Sequence, residues 1–134
     1  MLYIRQSFNP LAMEYILRGE DIVVNMSFLE ELAGDDRAIL RDLIETFIAT
    51  VPASVQQLKE AFEQQDWNTL RQKAHSLKSS LSVIQLDNLQ EHCNVIETTA
   101  SADTAEKIHF LITEISEKAK KGTGLLLQLL QQLE

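Results

Sequence analysis

An all-α fold is what the 134-residue sequence predicts: an antiparallel up-down-up-down four-helix bundle with one or two short helices added at the N-terminus. Three observations predict it. Apolar residues recur at steps of three and four through most of the chain. Gly and Pro number only 4 and 2, too few for the tight turns of a β-sandwich. No run of four to eight residues alternates between turn signals as a half-buried strand does. Four long helical segments joined by short connections pack most simply in up-and-down order. The organisation expected is an N-terminal extension over residues 1–25 and a bundle over 26–134.

Within the extension, Asn9-Pro10 reads as a cap and first-turn proline of a short helix that carries Leu11 and Tyr15 and ends near Gly19. Ser27 stands as an N-cap with Glu30 three residues on, a capping-box spacing, and that second short helix stops at Gly34. Asp35-Asp36 then open a long segment in which Leu40, Leu43, Phe47 and Val51 share a face. Pro52 interrupts it, yet Val55, Leu58 and Phe62 continue the pattern, as in one kinked helix or two nearly collinear ones ending near Gln65. Asp66 caps the next helix, roughly 67 to 84, whose seam is Leu70, Ala74, Leu77, Leu81 and Ile84. A turn near Asp87 leads to a seam of Leu86, Leu89, Cys93, Ile96 and Ala100. Ser101-Ala102-Asp103 break and recap the chain before a last helix with Ile108, Leu111, Ile112 and Ile115. Gly122-Thr123-Gly124 should weaken its end by about 1 kcal/mol per glycine, leaving an apolar tail from Leu125 to Leu130.

Composition excludes several function classes. The formal charge, 12 − 20 = −8, is unsuited to binding nucleic acid or an anionic membrane surface. No apolar run approaches the ~18 residues that cross a bilayer, and nothing resembles a signal peptide. The compartment expected is the cytoplasm, including as the soluble part of a membrane-anchored kinase. The single Cys93 closes no intramolecular disulfide, and no Cys/His spacing reads as a metal site. No Gly-rich phosphate loop, catalytic triad order or kinase ATP motif is present.

Position singles out one of three histidines. With Ala74, Leu77 and Leu81 as the buried stripe and about 100° per residue, His75 lies roughly 140° from the stripe centre, facing water. Arg71, Lys78, Ser79 and Ser82 fall within about 60° of it, on the same exposed face. Cations there would attract a phosphoryl group and offset its charge once attached. Cys93, on an apolar seam, reads as a packed small hydrophobe and not a reactive thiol. His92 is a boundary residue, His109 is partly buried against the bundle, and Trp67 covers the bundle end.

The stretch Ala74-His75-Ser76-Leu77-Lys78-Ser79-Ser80, followed by Leu89, Cys93, Ile96 and Glu97, resembles the histidine-containing phosphotransfer (HPt) domain of multistep two-component relays. That family's pattern runs Ala-His-x-Leu-Lys-Gly-Ser, then an apolar residue, Cys, an apolar residue and Glu at the same offsets. Phe28 to Asp35, Phe47 to Pro52, Leu58 and the Asp66-Trp67 turn are also similar, so the resemblance spans roughly residues 26 to 118.

The resemblance implies that His75 is phosphorylated through Nε2 and that Lys78 contacts the phosphoryl group. Arg71, Ser79 and Ser82 would border the partner, a response-regulator receiver domain or a hybrid sensor kinase to which such a domain is joined. It implies no cofactor of the chain's own, the Mg2+ belonging to the receiver, and no autonomous kinase activity. Two departures stand out: Ser79 and Gln85 each occupy a position where the family usually has Gly. Leu81 or Val83 would supply apolar contact with the receiver. Two other readings are a helical adaptor that docks a receiver or kinase without carrying phosphate, and a bundle that dimerises through its leucine-rich tail.

Overall fold

A computed structural model of the chain describes residues 3–6, 15–19 and 21–133. In order these are strands β1 (Tyr3–Gln6), β2 (Tyr15–Arg18) and β3 (Val23–Asn25), helices α1 (Ser27–Ala33), α2 (Arg37–Glu63) and α3 (Trp67–Ser80), strand β4 (Gln85–Leu86), helix α4 (Leu89–Thr99), a 3-10 turn (Ala102–Thr104) and helix α5 (Ala105–Gln132). The fold is an all-α bundle of α2 to α5 with α1 beside α2. Cross-helix contacts fix the directions. Arg71, His75 and Lys78 of α3 meet Ala100, Glu97 and Asn94 of α4 in reverse order, and Arg41 near the start of α2 meets Leu133 just past the end of α5.

Most helix boundaries follow local chemistry. Asp36 accepts from the Ala38 and Ile39 N–H groups at 2.9 and 3.2 Å, and Asp66 from Thr69 N–H at 3.1 Å. The Thr69 hydrogen bonds hold the Asp66 carboxyl below its ordinary value. Gly34 ends α1 at φ 59°. Ser101 and Thr104 form a capping box ahead of α5. Ser27, expected as an N-cap, is instead the first helical residue. Met26 is the N-cap, and Asn25 Oδ1, one residue before it, takes both the N–H and the hydroxyl of Ser27, at 2.9 and 2.7 Å.

Pro52 does not divide α2, which runs unbroken with Val51 and Val55 buried and Pro52 on the solvent side. There the carbonyl four residues back, deprived of its N–H partner, can turn to water. α3 stops four residues short of the expected Ile84, because the chain turns at Leu81–Ile84 to enter β4.

The small sheet is the feature the periodicity does not announce. It runs β1-β2-β3-β4, antiparallel throughout. Tyr15–Arg18, expected in a first helix, is a strand, while Asn9, Pro10 and Leu11 lie outside the described residues. Leu17 pairs with Val24, and Val24 with Leu86; all three are buried, at 0%, 0% and 1% exposure. One buried residue in each of β2, β3 and β4 is too little alternation to register as a pattern.

That ladder rests on α5, whose course through Gly122 and Gly124 corrects the expected weak end. A Cβ on Gly122 would meet Leu86 Cδ2 at 2.7 Å, so the missing side chain is what lets β4 approach the helix. Helix packing then outweighs propensity, and α5 continues to Gln132 with Leu125, Leu126 and Leu129 buried.

Candidate functional site

The site lies on the outer face of α3 where α4 runs beside it. Ala74 and Leu77 are fully buried and Leu81 is 1% exposed, which turns His75 outward with 62% of its side chain exposed. One turn along, Lys78 is partly covered. Between them, from α4, comes Glu97. Its Oε1 lies 2.7 Å from His75 Nδ1 and its Oε2 lies 2.7 Å from Lys78 Nζ. Lys78 Nζ also donates to Asn94 Oδ1 at 3.4 Å, and Gln90 Nε2 donates to the Lys78 carbonyl at 3.3 Å.

This arrangement has a chemical consequence. The hydrogen bond from Lys78, and then that from His75, hold the Glu97 carboxyl below the usual carboxylate range. An ionised carboxylate only accepts, so the proton between it and the imidazole belongs to Nδ1. The lone pair of the neutral ring is therefore at Nε2, on the side away from Glu97. The result is a nucleophilic nitrogen in solvent, a fixed tautomer behind it and a cation one turn away.

The other residues singled out in the sequence divide clearly. Ser79 and Ser82 are exposed on the same face, but their hydroxyls are turned to backbone: Ser79 Oγ donates to the His75 carbonyl at 3.3 Å and Ser82 Oγ to the Ser79 carbonyl at 2.6 Å. Arg71 does not flank the ring as a bare cation. It donates to the Ala100 carbonyl at 2.7 Å, closing the end of α4. Leu81, expected as an apolar contact, is buried and unavailable to a partner, and Val83 is only partly exposed. Burial pushes the Cys93 thiol up to about 12, as suits a core residue. His92 is at the boundary. His109 is exposed and stacks on Phe62 with ring centroids 5.5 Å apart, and Trp67 meets Phe62 edge-on at 5.8 Å.

In the sequence Glu97 stands out only as part of a motif, with no role attached, and Asn94 and Gln90 do not stand out at all. The available signal is their place one residue past Cys93, Ile96 and Leu89, at the edge of the α4 seam facing α3.

A family model described as the Hpt domain matches residues 42–134. The chain belongs to the Hpt domain family. Its family role is that of a phosphotransfer carrier in phosphorelays. The fold is also that of histidine-containing phosphotransfer protein B (HptB) from Pseudomonas aeruginosa PAO1, with a TM-score of 0.66 over 78% of this chain and 91% of that one. At 22% identity this likeness is one of fold. No curated protein matches the chain. The Hpt match begins inside α2, so the three N-terminal strands and α1 lie outside it, although Leu17, Val24, Met26 and Leu29 share the one core.

Proposed function

We propose that this Hpt domain carries a phosphoryl group on Nε2 of His75, accepting it from the aspartyl phosphate of a receiver domain and passing it to the aspartate of another. The observation that carries the reading is the single carboxylate of Glu97 shared by His75 Nδ1 and Lys78 Nζ, at 2.7 Å each.

The Nε2 lone pair attacks phosphorus while the bond from phosphorus to the aspartyl oxygen breaks, and the electron pair leaves with the carboxylate. No proton has to move, because Nε2 carries none in this tautomer. Positive charge developing on the ring is met by Glu97 through Nδ1–H, as a second group orients a catalytic imidazole. Lys78 turns a donor toward the phosphoryl oxygens. The Mg2+ of the exchange belongs to the receiver's acidic site, and the domain brings no cofactor of its own. Acyl phosphate and phosphoramidate are both high-energy, so transfer runs near balance and its direction follows partner concentrations.

The receiver meets the face bearing His75, Ser79 and Ser82, with Arg71 at its margin; a hybrid sensor kinase is the second partner class. No helix among the described residues is long and apolar enough to cross a membrane. The test is to mix the domain with a phosphorylated receiver and follow label into an acid-labile, alkali-stable adduct. His75→Gln should accept none; label equal to the parent's overturns the site.

Ser79 supports a second reading, an adaptor that docks the receiver without taking phosphate, since a side chain stands where the family usually has none. Receiver binding with no label transfer favours it. The leucine tail gives dimerisation little support, because Leu125, Leu126 and Leu129 are spent on the domain's own core.

A further inference from the structure

The family's usual glycine between the two central helices is absent here, Gln85 standing in its place, and the connection is made differently. Asp87, two residues on, adopts φ 46°. Its Oδ1 accepts the Val23 N–H at 2.8 Å, and its own N–H donates to the Val23 carbonyl at 2.9 Å. Its Oδ2 meets Lys118 Nζ of α5 at 3.2 Å, with the Asp87 side chain only 20% exposed. The preceding Leu86 pairs with Val24 on one side and presses on Gly122 on the other. The turn is thus held by β3 and by the last helix together.

The helix beyond this turn is the one that serves the imidazole. α4 begins at Leu89, two residues after Asp87; Gln90 holds the Lys78 carbonyl, and Glu97 holds both His75 and Lys78. A 2.7 Å contact between side chains of two helices, with the same carboxylate also held by Lys78, weakens as the helices slide past one another.

We infer that Asp87 is a positioning residue: by tying the α3–α4 turn to β3 and to α5 it sets the height of α4, and so the grip of Glu97 on the His75 ring. Strand β3 is then a working part of the carrier although it lies outside the Hpt match. Its importance for transfer rests on the function proposed above, but the geometric statement does not.

The experiment compares the parent with Asp87→Gly and Asp87→Asn in the full chain. Gly keeps the backbone pairing and suits the positive φ while losing both side-chain contacts; Asn keeps an acceptor for Val23 N–H and loses only the charge. The readouts are the ring nitrogen signals of His75 in 15N NMR, amide exchange at Ser82 and Val83, and labelling by a small phosphoryl donor, phosphoramidate, with no receiver present. Asp87→Gly should raise the Nε2–H tautomer and speed exchange about fivefold, and Asp87→Asn, which keeps the tie to β3 and loses the one to α5, should shift both signals the same way but less. Ring signals and exchange unchanged in Asp87→Gly overturn the inference. Should that variant not fold, Lys118→Met, which leaves both Val23 bonds intact, decides by the same signals. A parent that takes no phosphate from any donor but shows the tautomer shift keeps this inference and defeats the proposed function.

Discussion

His75 Nδ1 lies 2.7 Å from Glu97 Oε1, twenty-two residues farther along the chain and on the neighbouring helix. The contact assigns the ring proton to Nδ1, and with it the lone pair to Nε2.

Replacing Glu97 therefore separates orientation from charge. Glu97→Ala should let Nε2–H accumulate in 15N spectra and slow phosphate acceptance about tenfold, the loss of one charge-assisted hydrogen bond. Glu97→Gln should fall between, since an amide can accept from Nδ1–H or donate to a bare Nδ1 and so holds either tautomer. A tautomer ratio unmoved in Glu97→Ala would remove the basis of the assignment.

Glu97 also links folding to pH. Its carboxyl titrates below the ordinary 4.5 in the folded domain, so the folded state binds fewer protons than the unfolded chain in that range. Its contribution is fully present above 4.5 and is lost as pH falls through the lower folded value. Urea titrations between about pH 6 and 3 should show a smaller acid-side loss of stability in Glu97→Gln than in the parent.

Ser79 puts a side chain on the exposed face beside His75, where the family usually has none. Ser79→Gly should speed exchange with a receiver severalfold while costing about 0.5 kcal/mol in helix propensity, read as rate by label transfer and as stability by denaturant titration. A Gly variant no faster than the parent would show that the hydroxyl, folded back on the His75 carbonyl, leaves the receiver enough room.

Two glycines two residues apart should respond oppositely. Gly122→Ala drives a methyl into Leu86, which is 1% exposed and has nowhere to go, and should destabilise by about 1 kcal/mol after the gain in helix propensity. Gly124 has nothing within 4 Å of a built Cβ, so Gly124→Ala should stabilise by about 0.5–1 kcal/mol. Thermal unfolding of the two variants checks both signs.

The bundle is readable in the sequence because its long helices repeat the same apolar spacing many times and their starts carry aspartate caps, as at Asp36 and Asp66. The outward direction of His75 comes from three buried neighbours on its own helix. The unreadable parts depend on partners distant in the chain. Strands β2, β3 and β4 contribute one buried residue each, and the β3–β4 pairing spans sixty or more positions, beyond any local window. Arg71 shares the face of His75 by angle, yet a side chain that long is drawn to the nearest unmet carbonyl, here Ala100 on another helix. Glu97 belongs to the motif, but its role is invisible until α4 is laid against α3.

The β3–β4 pairing has a consequence for the order in which the molecule assembles. Joining Val23 to Asp87 closes a loop of sixty-four residues, whereas α2 meets α3, and α3 meets α4, across short connections. Closures between near neighbours come early in folding and distant ones late. The bundle is thus expected to collapse first and β3 to dock on it last, so a freshly made molecule has a helical body before the face bearing His75 is finally trued.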